Sequence, residues 1–211
     1  MKAYSELFQY RFLLVSLHID GVLREPTIKQ RTNRLRWTKS GAGLGDAYRA
    51  TLERIRGQDE GKVKLAMATL MWACHSERPL QVDELCHALA VEVGSADFDP
   101  DNVPLMTTLL GCCRGLITVD KEASTVRLIH HTLQEYLSAD PDLFTMAHST
   151  ITETCLTYLN SQQIRKILPL SDDQSMPFLN YSSKNWGTHG KKEFSNHAMS
   201  LAGELLSLEW V

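Results

Sequence analysis

The sequence predicts a mainly α-helical fold with one β-hairpin set among its helices. Three observations carry this. Apolar residues recur at steps of three and four along most of the 211 residues, the spacing that draws one face of a helix. Two neighbouring runs, Leu116–Val119 and Thr125–Ile129, are β-prone and flank the turn-forming stretch Asp120–Ser124. Proline and glycine sit at the joints (Pro26, Gly57, Pro79, Pro104, Gly115) rather than inside the periodic stretches.

Taken in order, residues 6–23 put Phe8, Phe12, Val15, Ile19 and Val22 on one helical face, which Pro26 closes. Thr27–Lys39 is basic and weakly patterned and reads as a linker, and Ser40–Gly43 breaks structure again. A second helix aligns Leu44, Tyr48, Leu52 and Ile55, with Gly57 as its stop. The next face is Val63, Ala66, Met67, Leu70 and Cys74, after which Arg78-Pro79 turns the chain. Asp83 and Glu84 then fall in the first turn of a helix, where carboxylates suit the positive end of the dipole. Its inner face is Val82, Leu85, Cys86 and Leu89. Gly94–Asp101 is an acidic loop. Pro104 opens a third helix with Met106, Leu109, Leu110 and Cys113 inward and Gly115 past its end. The hairpin follows and runs straight into His130, His131 and another helix. Helix, helix, helix, hairpin is the order of a winged helix. Leu143, Ile151, Cys155, Leu156 and Leu159 then mark a long packing helix ending near Asn160, and two further helices fit 178–186 and 198–208. The fold class is therefore mainly α: a winged helix of three helices and a β-hairpin wing, flanked by N-terminal and C-terminal helices. The expected divisions are 1–40, 41–140 for the winged helix, and 141–211 for a helical extension.

The net charge of −3 is unevenly spread. Residues 1–60 hold 11 Lys and Arg against 7 Asp and Glu, residues 61–160 hold 6 against 13, and residues 161–211 hold 5 against 5. A nucleic-acid partner needs cations to displace phosphate counterions, and the acidic central block is poorly supplied with them. The third helix, the reader in a DNA-binding winged helix, carries no Lys or Arg between Pro104 and Cys113, with only Arg114 beyond it. Nucleic-acid binding is thus the alternative reading, not the first. The apolar run Phe12–Leu17 is too short to span a bilayer and has no cleavage site after it, so neither a membrane anchor nor a signal peptide is expected. Five cysteines without framework spacing read as reduced thiols of a cytoplasmic protein.

Several motifs invite chemistry and fail on detail. Gly41-Ala42-Gly43-Leu44-Gly45 has no hydrophobic strand before it and no lysine after it, so it reads as a linker, not a phosphate loop. Asp97, Asp99 and Asp101 alternate like calcium ligands, but the sixth position is Asn102 and the twelfth is Thr108, without the bidentate carboxylate. Cys74-His75, Cys86-His87 and Cys112-Cys113 lack zinc-ligand spacing, and Cys74, Cys86 and Cys113 fall on apolar faces. No Gly-x-Ser-x-Gly elbow or local triad is present. No catalytic residue and no metal ligand is expected, and the chain reads as a non-enzyme.

Four segments together resemble the winged-helix region that follows the NACHT ATPase domain in fungal NOD-like receptor proteins of the STAND class, which often continue into ankyrin repeats. They are Asp46-Ala47-Tyr48 with Leu52-Glu53-Arg54-Ile55; Arg78-Pro79-Leu80 with Glu84-Leu85 and His87–Glu92; Cys113–Asp120; and Val126–His130 with Gln134-Glu135-Tyr136-Leu137. The same domain is known as the GPI inositol-deacylase winged helix domain, a label that implies no deacylase chemistry here. Ala147-His148-Ser149, Cys155–Leu159, Pro177–Tyr181 and Trp186-Gly187 resemble the stretch leading towards the repeats. The resemblance implies a regulatory, protein-interaction module that closes over a nucleotide held by the ATPase domain. His130 matches the family histidine that points at the β-phosphate and is the nucleotide-sensing candidate, while His131 reads as structural. Residues 1–40 then correspond to a helical remnant of the ATPase module plus linker. The P-loop and magnesium-binding aspartate would lie upstream of residue 1, so ADP or ATP binds only if a NACHT domain supplies them. The expected partners are such a domain and ankyrin repeats, and the chain reads as a fragment of a longer receptor.

Overall fold

The computed structural model describes residues 19, 22–23, 25–39, 43–162, 164 and 176–207, with the side chains of 34–39 outside that description. The chain divides into two compact units, Met1–Val63 and Lys64–Val211. Each is treated by itself.

In the first unit the helix expected over 6–23 lies outside the described residues except at Ile19, Val22 and Leu23, of which Val22 alone is buried. The stretch read as a linker is instead a helix, α1 (Ile28–Lys39). Two causes account for it. Thr27 caps the helix: its Oγ1 accepts from the Gln30 N–H at 3.3 Å and its carbonyl from the Arg31 N–H at 3.0 Å. Lys, Gln and Arg are also good helix formers without any apolar face, which is why hydrophobic spacing does not reveal them. Residues 40–42 lie outside the described residues, but Gly43 is the extended N-cap of α2 (Leu44–Arg56), so Leu44 and Gly45 belong to a helix rather than a linker. Leu44, Tyr48, Leu52 and Ile55 are buried on α2 as the spacing requires, together with Ala47 and Thr51. Gly57 ends it, donating to the Glu53 carbonyl at 3.0 Å.

The second unit takes up within α3 (Glu60–His75), whose Ala66, Leu70, Trp72 and Cys74 are buried. After the Arg78-Pro79 turn comes α4 (Val82–Ala90). Its buried side is Glu84, Leu85, Cys86, Ala88 and Ala90, not the expected Val82 and Leu89. The carboxylate of Glu84 accepts from the Gln81 N–H at 2.9 Å and from both Arg78 guanidinium nitrogens at 2.7 and 2.6 Å. Those bonds replace the water it loses. The acidic loop carries a 3₁₀ turn at Pro100–Asn102 and tucks Phe98 inward. The third helix, α5 (Met106–Cys112), starts two residues after Pro104. It buries Leu109 and Cys112 while Leu110 faces solvent, correcting the expected inward position of Leu110. Arg114 and Gly115, at φ 51° and 83°, then reverse the chain.

Strands β1 (Ile117–Asp120) and β2 (Thr125–Leu128) pair antiparallel, with Ile117 opposite Leu128 and Asp120 opposite Thr125. The Leu80 carbonyl accepts from the Val126 N–H at 2.8 Å, and the Val82 N–H donates to the Ser124 carbonyl at 3.0 Å. The extended residues before α4 thereby line the free edge of β2. Helix α6 (His131–Ser138) leaves the wing directly. Beyond it α7 (Ala147–Asn160) packs against α8 (Leu179–Gly190) and α9 (Asn196–Leu206). Leu143, expected on α7, lies in the turn before it, and α8 runs four residues past Trp186. Leu156 and Leu159 meet Ala198, Leu201 and Leu205 in the apolar contact of α7 with α9. Trp72 of α3 meets Phe178 and Tyr181 edge-on at 5.6 and 5.9 Å between ring centres. All five cysteines are buried free thiols, as their apolar positions require. Among the described residues no helix is long and apolar enough to cross a membrane.

Candidate functional site

The exit of the wing sets the first site. The Ile129 N–H donates to the Leu116 carbonyl at 2.9 Å, which carries the hairpin pairing one residue beyond β2. His130 is extended, at φ −159° and ψ 151°, and forms the N-cap of α6. Its Nδ1 accepts from the Thr132 N–H at 3.3 Å, with the Thr132 hydroxyl at 2.9 Å. A backbone amide only donates, so Nδ1 must be the unprotonated nitrogen and the neutral ring carries its proton on Nε2. Burial and the neighbouring His131 ring, 4.1 Å away between centres, lower the pKa of His130 below the usual histidine value. The ring is neutral at pH 7, with one N–H to offer away from the helix it caps.

That ring borders a cleft of about 420 Å³ whose walls include Trp72, Cys74, Arg78, Arg127 and Gln134. Gln134 Nε2 donates to the Cys74 carbonyl at 3.1 Å and holds α6 against the end of α3. Arg127, half exposed, reaches Asp120 at 3.4 Å across the wing. Both guanidinium groups on its wall are already paired, Arg78 with Glu84 and Arg127 with Asp120, and Glu77 also lines it, so the His130 N–H is the donor at issue for a ligand there.

A second cluster went unseen in the sequence because its members are far apart along the chain. His148 Nδ1 and His189 Nδ1 lie 2.8 Å apart, 41 residues from one another. Tyr181 Oη lies 2.8 Å from His189 Nε2 and accepts from the Glu77 N–H at 3.1 Å. Lys192 Nζ donates to Glu77 Oε1 at 2.7 Å, and the His75 ring meets His148 edge-on at 5.4 Å between centres. Burial lowers the His189 pKa to about 4, with His148 contributing next, and burial also lowers His75 and His148. The Lys192 hydrogen bond keeps Glu77 below the usual carboxylate range. No short-range spacing announces such a group. The only trace is that His75 and His148 stand at the last and second positions of helices.

Asp97, Asp99 and Asp101 are exposed, and Asp99 Oδ1 accepts from the Asp101 N–H at 2.9 Å to start the 3₁₀ turn. The Cys-His pairs divide: Cys74 and Cys86 enter the core, while the His87 ring stacks on Phe98 at 5.0 Å.

Three helices, a paired wing and a helix capped at the wing's exit define a winged-helix module. Residues 52–151 match the family described as "GPI inositol-deacylase, winged helix domain". The chain is also similar to "Azaphilone pigments biosynthesis cluster protein L" of Monascus ruber, at 28% identity over 159 residues, covering 66% of this chain and 34% of that protein. The chain therefore spans about a third of the length of the curated relative it matches. No solved structure matches it.

Proposed function

We propose that this chain is a non-catalytic regulatory module that acts through protein contacts and closes over a nucleotide held by a NACHT-type ATPase domain. The observation that carries the reading is the tautomer of His130. Its Nδ1 is committed to capping α6, so Nε2–H is the group left to point at a ligand, on the wall of a cleft that also holds Arg78 and Arg127. A neutral imidazole N–H facing an anionic β-phosphate makes a charge-assisted hydrogen bond. If that bond forms in only one arrangement of the two domains, it biases the equilibrium between them. The 211 residues contain no P-loop, so the phosphates come with the ATPase domain. Winged-helix binding to duplex nucleic acid is the weaker reading, because α5 presents no cationic side chain to a base edge.

The chain alone is expected to show no heat on titration with ADP and no ATP hydrolysis. Combined with an ADP-loaded NACHT domain, it slows ADP release. His130→Asn speeds that release about tenfold or more, the size of one hydrogen bond to a charged group at about 1.5–3 kcal/mol. His131→Ala leaves release unchanged. Tight ADP binding by the chain alone, or release indifferent to His130, overturns the proposal.

A further inference from the structure

We infer that Glu77, His148 and His189 form a zinc-type divalent metal site that ties the winged helix to the C-terminal helices. The three ligand atoms, one carboxylate oxygen and two Nδ1 nitrogens, all lie within 4.8 Å of one another. His148 Nδ1 to His189 Nδ1 is 2.8 Å, and His189 Nδ1 to Glu77 Oε1 is 3.9 Å. Two ligands about 2.0–2.1 Å from a tetrahedral zinc stand roughly 3.3 Å apart, which these separations bracket. Nitrogen and carboxylate donors suit zinc better than the oxygen-seeking calcium or magnesium. The fourth position is left to water, as Glu77 stands at the surface.

The surroundings supply the rest of a site. His189 is fully buried, and its far nitrogen, Nε2, is held by Tyr181 Oη. Metal-bound histidines are oriented by just such an outer hydrogen bond on the second ring nitrogen. Without a metal, the Tyr181 hydroxyl takes the Glu77 N–H and gives its own proton to Nε2, so His189 donates through Nδ1–H to His148 Nδ1. With a metal, the His189 proton resides on Nε2 and Tyr181 Oη becomes its acceptor. Tyr181 serves both states because a phenol donates and accepts. The Glu193 carboxylate accepts from the His148 and Ser149 N–H groups at 2.9 and 3.3 Å and fixes the backbone that carries His148. Glu77 comes from the turn after α3, His148 from the start of α7 and His189 from the end of α8, so one ion joins three segments far apart in sequence. None of these residues is near another along the chain, so no ligand spacing in the sequence marks them.

The test is a cobalt(II) titration of the metal-stripped full chain. One equivalent is expected to give the visible ligand-field bands of a four- or five-coordinate site, and one equivalent of zinc should bleach them. Glu77→Gln and His148→Ala each should weaken cobalt binding by more than about tenfold, and Tyr181→Phe by about tenfold as an outer partner. His131→Ala should bind as the unaltered chain does. Glu77→Gln changes an exposed, nearly isosteric group, so it carries the test if His148→Ala fails to fold. Absent bands at stoichiometric cobalt, bands that survive Glu77→Gln, or thiolate charge-transfer absorption pointing to cysteine ligands would each overturn the site.

Discussion

His130 caps α6, and that cap is separable by substitution from the proposed contact with a phosphate. Asparagine is among the best N-caps, so His130→Asn should leave thermal stability nearly unchanged, whereas His130→Ala should cost about 1 kcal/mol by denaturant unfolding. A larger loss in the asparagine variant would mean that the ring contributes packing beyond its cap. His87 gives a pH prediction. Its ring stacks on Phe98, its Nδ1 is buried without a hydrogen-bond partner among the described residues, and burial lowers its pKa below the ordinary histidine value. The unfolded chain therefore binds a proton at higher pH than the folded one, so this residue's contribution falls as pH drops below about 6.5. His87→Phe should raise the melting temperature at pH 7 and flatten its decline between pH 7 and 5. A parallel decline in both proteins would exclude His87 as the cause.

At the level of elements, the turn between α3 and α4 rests on one ion pair. Glu84 is 3% exposed while its partner Arg78 reaches partway to solvent, also lying 5.2 Å over the Tyr181 ring. Removing the cation strands a buried carboxylate, so Arg78→Met should destabilise by about 2 kcal/mol or more in urea unfolding. Glu84→Gln, which removes the buried charge and leaves the partly exposed Arg78 to water, should cost less; the reverse order would mean the pair is not the source of stability. Gly115 sits at φ 83° with no atom within 4 Å of an added Cβ. Gly115→Ala therefore meets only backbone strain, about 1 kcal/mol. This turn was legible in the sequence as Gly115 after a helix. The inward positions of Glu84 and Ala88 were not, because a hydropathy pattern assigns carboxylates to solvent and cannot see Arg78 arriving from the preceding turn.

On the scale of the molecule, the second unit is joined by aromatic rings rather than by the winged helix alone. Trp72, Tyr158, Phe178 and Tyr181 are almost fully buried, and each ring touches at least one of the others. Trp72→Ala and Phe178→Ala should each cost about 3–5 kcal/mol. The double variant should lose less than the sum by about 1 kcal/mol, since the two rings meet edge-on. Strict additivity in a double-mutant cycle would show that the contact carries no energy of its own.

The order of helices and wing, the junction at His130 and the buried thiols were all set by local sequence. Each depends on spacing within one element or on a turn residue beside it. Helix α1 was missed because the Thr27 cap and the helix-forming Lys, Gln and Arg residues, not apolar spacing, mark it. The cleft beside His130 and the Glu77, His148, His189 cluster were decided by tertiary structure alone. Their side chains come from segments up to 112 residues apart, and no local period encodes a distance that exists only once α3, α7 and α8 have packed.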